Sequence, residues 1–348
     1  MLLLLDTEVT MNHRQYEQHV KQLRALVERR LSSLVRHNGP NDLYDACRYV
    51  IFGGGKRVRS TLVILACEAV GGKSAVAVSA GAAVELMHNF TLVHDDVMDN
   101  ARSRRGKPTV HTKWDVNNAL LVGDVLLGLA YQCLFETTNG DVRRMADVFT
   151  SGLVDVCEGQ ALDLEFERAK NVLLEDYFTM IEKKTGGLIA MSAELGGLVG
   201  GGSGRQVTAL RRFGHFLGRA FQLQDDLLDV VANVKEFGKT IGGDIVKGKK
   251  TFLLLKAMER ARAKDKRILH RATTSARLPE GKRTITAKEQ RAVAAVTAIY
   301  KRYGVIESAK AHVRRDTSSA IKALAVLPET SARAMLQWYS ELLVRRVS

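Results

Sequence analysis

Proline and cysteine are scarce in this 348-residue chain, and each scarcity excludes something. Four prolines (Pro40, Pro108, Pro279 and Pro328) leave long stretches without a helix breaker. Four cysteines (Cys47, Cys67, Cys133 and Cys157) lie far apart with no C-x-x-C. That spacing excludes both a disulfide-stapled small scaffold and a zinc site. No uninterrupted run of about 18 apolar residues occurs, so no transmembrane segment is expected. The opening Met1–Leu5 is followed at once by Asp6 and Glu8. It lacks the basic n-region and the length of a signal peptide, and the expected location is cytoplasmic. Hydrophobic residues make up 46% of the chain, enough for a sizeable core and too many for disorder.

Acidic residues are scarce in one place only. Residues 1–255 hold 31 Lys+Arg and 30 Asp+Glu, whereas 256–348 hold 21 and 8, so nearly all of the net +14 sits in the C-terminal region. A basic region is one footprint of nucleic-acid or anionic-surface binding. Here Ala287–Tyr303 and Ile306–Leu327 place Ala, Val and Ile at helical spacing with Lys and Arg between, the pattern of a solvated amphipathic face. Aromatic stacking partners for single strands are few, so no nucleic-acid partner is expected.

The apolar periodicity is helical almost throughout. It predicts helices over Tyr16–Val35, Asp42–Phe52, Ser60–Val70, Ala75–Met98, Trp114–Glu136 and Arg143–Arg168. Further helices are expected over Leu174–Leu198, Val207–Val231, Thr251–Arg262 and the C-terminal segments, with Thr274–Thr286 a surface loop. No period-two alternation of strand length recurs, which argues against a sheet. No linker-like stretch divides the chain, and one all-α domain over 1–348 is expected. Trp114 and Trp338 read as core residues.

One motif occurs twice. Asp95-Asp96-Val97-Met98-Asp99 and Asp225-Asp226-Leu227-Leu228-Asp229 are the same D-D-x-x-D, and each closes a long apolar segment. The i, i+4 spacing puts Asp95 and Asp99 on one helical face, and Asp225 and Asp229 likewise. Bunched carboxylates repel one another unless cations lie between them. Oxygen donors with no Cys or His in the set suit Mg²⁺, which favours carboxylates, water and phosphate oxygens. Basic residues accompany the motifs: Gly53-Gly54-Gly55-Lys56-Arg57-Val58-Arg59, then Arg102, Arg104, Arg105 and Lys107, then Lys239, Lys247, Lys249 and Lys250. Such cations beside metal-binding carboxylates fit a polyanionic substrate. The run Gly243-x4-Gly248-Lys249 is not a P-loop, because Lys250 stands where Ser or Thr is required and no strand precedes it.

In this order, with Glu85-Leu86-Met87-His88, His94-Asp95, Lys184-Thr185, Phe221-Gln222-Leu223-Gln224-Asp225 and Gly238-Lys239, the pieces resemble the trans-isoprenyl diphosphate synthases. The resemblance implies an all-α, single-domain bundle of long helices around a central cavity, and a homodimer. It implies Mg²⁺ held by Asp95, Asp99 and Asp225, supported by Asp96, Asp226 and Asp229. Arg104, Lys184, Lys239 and Lys249 would hold the diphosphate of an allylic substrate (dimethylallyl, geranyl or farnesyl). Lys56, Arg59, His88 and Arg105 would hold isopentenyl diphosphate, and Thr185 and Gln222 would sit beside the reacting carbons. Helical spacing agrees in places: His88 lies two turns before Asp95, and Gln222 three residues before Asp225. Lys184-Thr185-Gly186-Gly187 reads as a helix deformed by close approach, since glycine is costly in an ordinary helix.

The implied reaction needs no side-chain nucleophile. Departing negative charge is stabilised by metal and cations, and the double bond of isopentenyl diphosphate captures the allylic cation. In the family, bulky residues shortly before the first motif act as a floor under the growing chain; here Phe90 and Thr91 stand there. With no insertion inside the first motif, the chain looks most like the geranylgeranyl type. Farnesyl or longer-chain synthases, and a helical terpene cyclase, are the alternatives.

Overall fold

The computed structural model describes residues 2–36, 39–231, 242–274 and 286–344. In chain order the helices are α1 (Leu2–Leu34), α2 (Asn41–Ile51), α3 (Val58–Ala69), α4 (Val78–Met98), α5 (Val110–Lys113) and α6 (Val116–Phe135). There follow α7 (Val142–Arg168), α8 (Leu174–Ile181), α9 (Gly187–Val199), α10 (Gly204–Val231) and α11 (Gly243–Val246). The last are α12 (Phe252–Arg260), α13 (Ala263–Thr274), α14 (Ala287–Arg302), α15 (Val305–Ala323) and α16 (Ser331–Val344). The all-α expectation holds, with one addition. Ser103–Arg104 (β1) and Lys107–Pro108 (β2) pair as an antiparallel hairpin, too short for alternation to register in sequence. Lys239 and nearly all of the expected loop 274–286 lie outside the described residues.

The chain divides into two compact units: Met1–Leu153 with Leu188–Arg212 and Ala323–Tyr339, and Val154–Gly187 with Phe213–Lys322 and Ser340–Ser348. In the first, α4 packs against α6, α3 and α1. Ser60–Cys67 of α3 and Ala80–Met87 of α4 are buried without interruption, which is the pattern of helices apolar all round and therefore central. Each fully buried Leu or Ile there contributes about 1.5–3 kcal/mol. Helix α4 ends where the first aspartate motif ends. Asn100 takes the left-handed conformation (φ 49°), its N–H donates to Val97 O at 3.2 Å, and Ala101 N–H donates to Asp96 O at 2.8 Å. These two bonds close the helix with a Schellman turn. In the hairpin that follows, Arg105 and Gly106 both have positive φ, the conformation of a two-residue type I′ turn.

Two expectations are corrected in this unit. Ser74–Met98 and Val116–Phe135 are each apolar and long enough to cross a membrane, by length and composition. Counting only uninterrupted runs overlooked them, because single polar or charged residues such as Glu85 and Asp124 break a run that is still apolar on average. Of the first segment's apolar window 72% is buried; of the second's, 39%, so α6 keeps a large exposed apolar face. Trp114 and Trp338 are half-buried and not core. Trp114 meets the Tyr49 ring edge-on at 5.3 Å with Lys113 Nζ 4.4 Å over its face, and Trp338 lies 5.5 Å from Tyr16. Amphipathic rings favour such rims.

The second unit is built around Tyr177, Phe213, Leu217, Leu227, Phe252 and Tyr300, all buried. Between α8 and α9 the helix widens into a π turn at Glu182–Gly186. The expected single helix 174–198 is therefore deformed where Lys184-Thr185-Gly186-Gly187 indicated. The cause is packing: a Cβ on Gly159 of α7 would lie 2.2 Å from Lys184 N, and one on Gly218 of α10 would lie 2.5 Å from Gly186 Cα. Only glycine admits both backbones at that distance.

Candidate active site

In the first unit the basic loop and the first aspartate motif are organised from α4. Arg57, in the left-handed conformation (φ 49°), turns its side chain inward. Its Nη1 donates to Glu85 Oε1 at 3.0 Å and its Nη2 to Ile51 O at 2.5 Å. Ser60 Oγ donates to the other Glu85 oxygen at 3.2 Å. With Arg57 facing in, the neighbouring Lys56 is exposed and Arg59 half-buried. Arg105, from the hairpin turn, donates to Gly54 O.

Arg59 Nη1 lies 3.2 Å from His88 Nε2. A guanidinium only donates, so His88 accepts through Nε2 and carries its proton on Nδ1. Burial, with the charges of Arg59, Arg105, Arg104 and Arg57, holds the imidazole well below its ordinary pKa, so the ring is neutral. Nδ1 is buried with no hydrogen-bond partner in the chain. His88 thus presents a neutral donor within a group of arginines.

The first D-D-x-x-D is sorted by its helix. Asp95 is half-buried, Asp99 is exposed, and Asp96 is buried. Asp96 Oδ1 accepts from Arg104 Nε and lies 2.8 Å from its Nη2. Burial raises the Asp96 pKa against the pull of that guanidinium. Arg104 is thereby anchored beside the motif.

The second motif is sorted in the same way. Asp225 is exposed, Asp226 buried and Asp229 half-buried. Asp226 accepts from Tyr177 Oη at 2.7 Å and from Gln222 Nε2 at 2.9 Å. Gln222 Oε1 in turn accepts from Thr185 Oγ1 at 2.9 Å. The predicted pair Thr185 and Gln222 is therefore directly bonded, and the chain of bonds ends on the motif. Asp229 Oδ2 accepts the Asp244 N–H at 3.0 Å. Burial, reinforced by Asp244, pushes Asp226 up to about 7 and Asp229 up to about 6.

Lys184 Nζ donates to Asp163 Oδ2 at 2.5 Å. Burial works against ionisation of Asp163, but Lys249 and Lys184 outweigh it and hold the carboxyl below its ordinary value. Two predicted cations, Lys184 and Lys249, thus share one carboxylate.

Among the described residues no three His, Cys, Asp or Glu side chains converge as a metal cage. Each motif nonetheless offers oxygen donors only, Asp95 half-buried and Asp99 exposed in the first, Asp225 exposed in the second. That fits Mg²⁺, which is commonly bound by one or two carboxylates and completed by water and substrate phosphate.

The chain matches the polyprenyl synthetase family over residues 40–288. It belongs to that family. It is 38% identical to the short chain isoprenyl diphosphate synthase of Methanothermobacter thermautotrophicus over 92% of this chain and 95% of that one. It is 41% identical to the geranylgeranyl diphosphate synthase of Methanosarcina mazei over 69% of this chain and 75% of that one. The crystal structure of geranylgeranyl pyrophosphate synthetase from Pyrococcus horikoshii superposes with a TM-score of 0.88 at 36% identity, covering 96% of this chain and 99% of that one. The enzyme is a prenyltransferase with the all-helical isoprenoid synthase fold.

Sequence reasoning missed several partners of the candidate residues in this prenyltransferase. Asp163 lies 21 residues before its partner Lys184, and nothing in the spacing joins them. Tyr177 read as one more helical aromatic. Glu85 did carry a signal, as a lone carboxylate in the apolar run Ala82–Met87, since Glu is almost never fully buried unless paired.

Proposed function

We propose that this enzyme joins isopentenyl diphosphate head-to-tail to an allylic diphosphate with Mg²⁺ as cofactor, giving geranylgeranyl diphosphate. What carries the reading is the repeated aspartate motif, each copy with an outward carboxylate and an inner one locked by hydrogen bonds. When bound, Mg²⁺ neutralises charge on the departing diphosphate; Asp95, Asp99 and Asp225 are the residues that would hold it. Lys184 and Lys249, with Arg104 and Lys239, bind the allylic diphosphate as fixed positive charge. Lys56, Arg59 and Arg105 bind the second diphosphate, and the His88 Nδ1–H donates to it. The allylic C–O bond breaks, the isopentenyl double bond supplies the electron pair for the new C–C bond, and a proton passes to the released diphosphate. The test is incubation with isopentenyl diphosphate, dimethylallyl diphosphate and Mg²⁺, then dephosphorylation and sizing of the alcohols. A twenty-carbon alcohol is expected. A fifteen- or twenty-five-carbon product would revise the length, and no alcohol would refute the reading.

Phe90 is the proposed floor of the product cavity. It is buried, its ring centroid 4.8 Å from that of His94 in a T-shaped arrangement, and the neighbouring Thr91 hydroxyl donates to His88 O at 2.8 Å. Phe90→Ala is expected to lengthen the product, and an unchanged chromatographic profile would remove Phe90 from that role.

A homodimer is proposed through α6, on which Leu121 and Phe135 are 52% and 55% exposed beside Leu120 and Val116. Patches of this kind mark interaction sites. Leu121→Asp is expected to shift sedimentation from dimer toward monomer; a monomeric wild type would end the proposal. A cytoplasmic location is proposed as well, since no disulfide joins the four cysteines.

The raised Asp226 and Asp229 give a pH prediction. Both keep their protons when folded, up to about 7 and about 6, whereas the unfolded chain releases them near 3.9. Their contribution is full below about pH 4 and lost as pH rises through 6 and 7. In chelator, the urea midpoint is expected to fall between pH 5 and 8, and Mg²⁺ at pH 8 to restore part of it. A midpoint that rises over that interval would contradict the assignment.

A further inference from the structure

Resting on the prenyltransferase reading, one charged network in the second unit lies outside the predicted substrate-binding set. Helix α10 holds the π turn at both ends. At its start Arg219 Nη1 donates to Glu182 Oε1 at 3.0 Å, and near its end Gln222 Oε1 accepts from Thr185 Oγ1 at 2.9 Å. Beside these bonds Gly218, next to Arg219, and Gly186, next to Thr185, bring the two backbones into contact. Arg219 and Gln222 are three residues apart and share a face of α10, as Glu182 and Thr185 are the two limbs of the turn.

Arg219 is itself fixed from the other side. Its Nε and Nη2 donate to the two oxygens of Asp316 at 2.8 and 2.9 Å, and its guanidinium stacks over Phe178 at 5.1 Å. Asp316, on α15, is fully buried, and its remaining contact is Arg315 Nε at 3.3 Å. A fork-to-fork pair of this kind restricts the guanidinium to one plane and one direction. The third donor, Nη1, is then aimed at Glu182. A π turn is less stable than the α-helix it interrupts and persists where its surroundings over-determine it.

We infer that Asp316 is a positioning residue for the reaction: acting through Arg219 and Glu182, it fixes the π turn that carries Lys184 and Thr185. The C-terminal region therefore contributes one buried carboxylate to catalysis, flanked by the exposed Arg315.

The experiment compares Asp316→Asn, Arg219→Met, Glu182→Gln and the Asp316→Asn/Arg219→Met pair, each scored by circular dichroism for folding and by steady-state kinetics with both substrates varied. Displacement of a positioned group by about 1 Å costs up to about 100-fold in rate, so kcat is expected to fall about 10- to 100-fold in each single variant. KM for isopentenyl diphosphate is expected to stay within about twofold, because the predicted ligands of that substrate are on the loop before α3, on α3 and α4, and on the hairpin. The double variant is expected to be no slower than Arg219→Met alone, since the two residues act in series. Multiplying losses would overturn the inference, as would full kcat in a folded Asp316→Asn. Should Asp316→Asn fail to fold, Glu182→Gln decides: its side chain is partly exposed and its substitution isosteric, so an unchanged kcat overturns the inference. An inactive wild type refutes the prenyltransferase reading itself, whereas an active wild type with unaffected variants refutes only the role of Asp316.

Discussion

Asp225→Ala and Asp95→Ala are expected to lower kcat by on the order of a thousandfold while leaving the protein folded. Asp225 is exposed and Asp95 half-buried, and substitutions at such positions usually change stability by less than about 0.5 kcal/mol. Asp226→Ala should behave differently. Its carboxylate accepts from Tyr177 Oη and Gln222 Nε2, and its removal strands a buried phenol and frees the amide that holds Thr185. Each buried group left without a partner costs about 1–3 kcal/mol, so this variant loses both stability and activity. The measurements are urea unfolding and diphosphate release with Mg²⁺ in excess. Near wild-type turnover in either outer variant would remove that residue from the metal site. Equal stability losses at Asp225 and Asp226 would mean that the inner and outer positions do not differ in role.

That division within each motif marks how far the sequence could be read. A D-D-x-x-D at the end of an apolar run gives the helix, its polar terminus and the face shared by i and i+4, because these depend only on local spacing. It does not reveal that Arg104 occupies Asp96 or that Tyr177 occupies Asp226, since those partners lie 8 and 49 residues away and arrive by packing. The π turn was legible from Gly186-Gly187, as two helix-disfavouring residues in an apolar helical run need a reason. Its clamps were not. Arg219 and Asp316 are 97 residues apart, and Asp316 read as one acidic residue within a basic amphipathic helix. The helix at α6 was legible, but its exposed face was not. Leu120, Leu121 and Phe135 were counted correctly as apolar, but whether an apolar face turns inward depends on the number of neighbours the fold supplies.

Arg57→Ala and Glu85→Ala are each expected to cost about 3–5 kcal/mol of stability. Both side chains are almost completely buried and lie 3.0 Å apart; removing Arg57 leaves Glu85 dehydrated without its cation, and removing Glu85 leaves Arg57 only the longer pair with Glu28 at 3.7 Å. Replacing both with apolar residues tests whether the pair serves stability or function. Arg57→Met/Glu85→Leu is expected to recover most of the lost stability, because buried ion pairs are often no better than apolar packing of similar volume. It should not recover substrate binding. Arg57 Nη2 ties the loop to Ile51 O and Glu85 ties Ser60 Oγ beside it, and these bonds set where Lys56 and Arg59 emerge. KM for isopentenyl diphosphate is therefore expected to remain raised about tenfold in the double variant, equivalent to about 1.4 kcal/mol of lost binding. A double variant that is stable and binds normally would show that the left-handed turn at Arg57 holds without the ion pair. One that is as unstable as the single variants would place the loss in packing volume and not in the stranded charge.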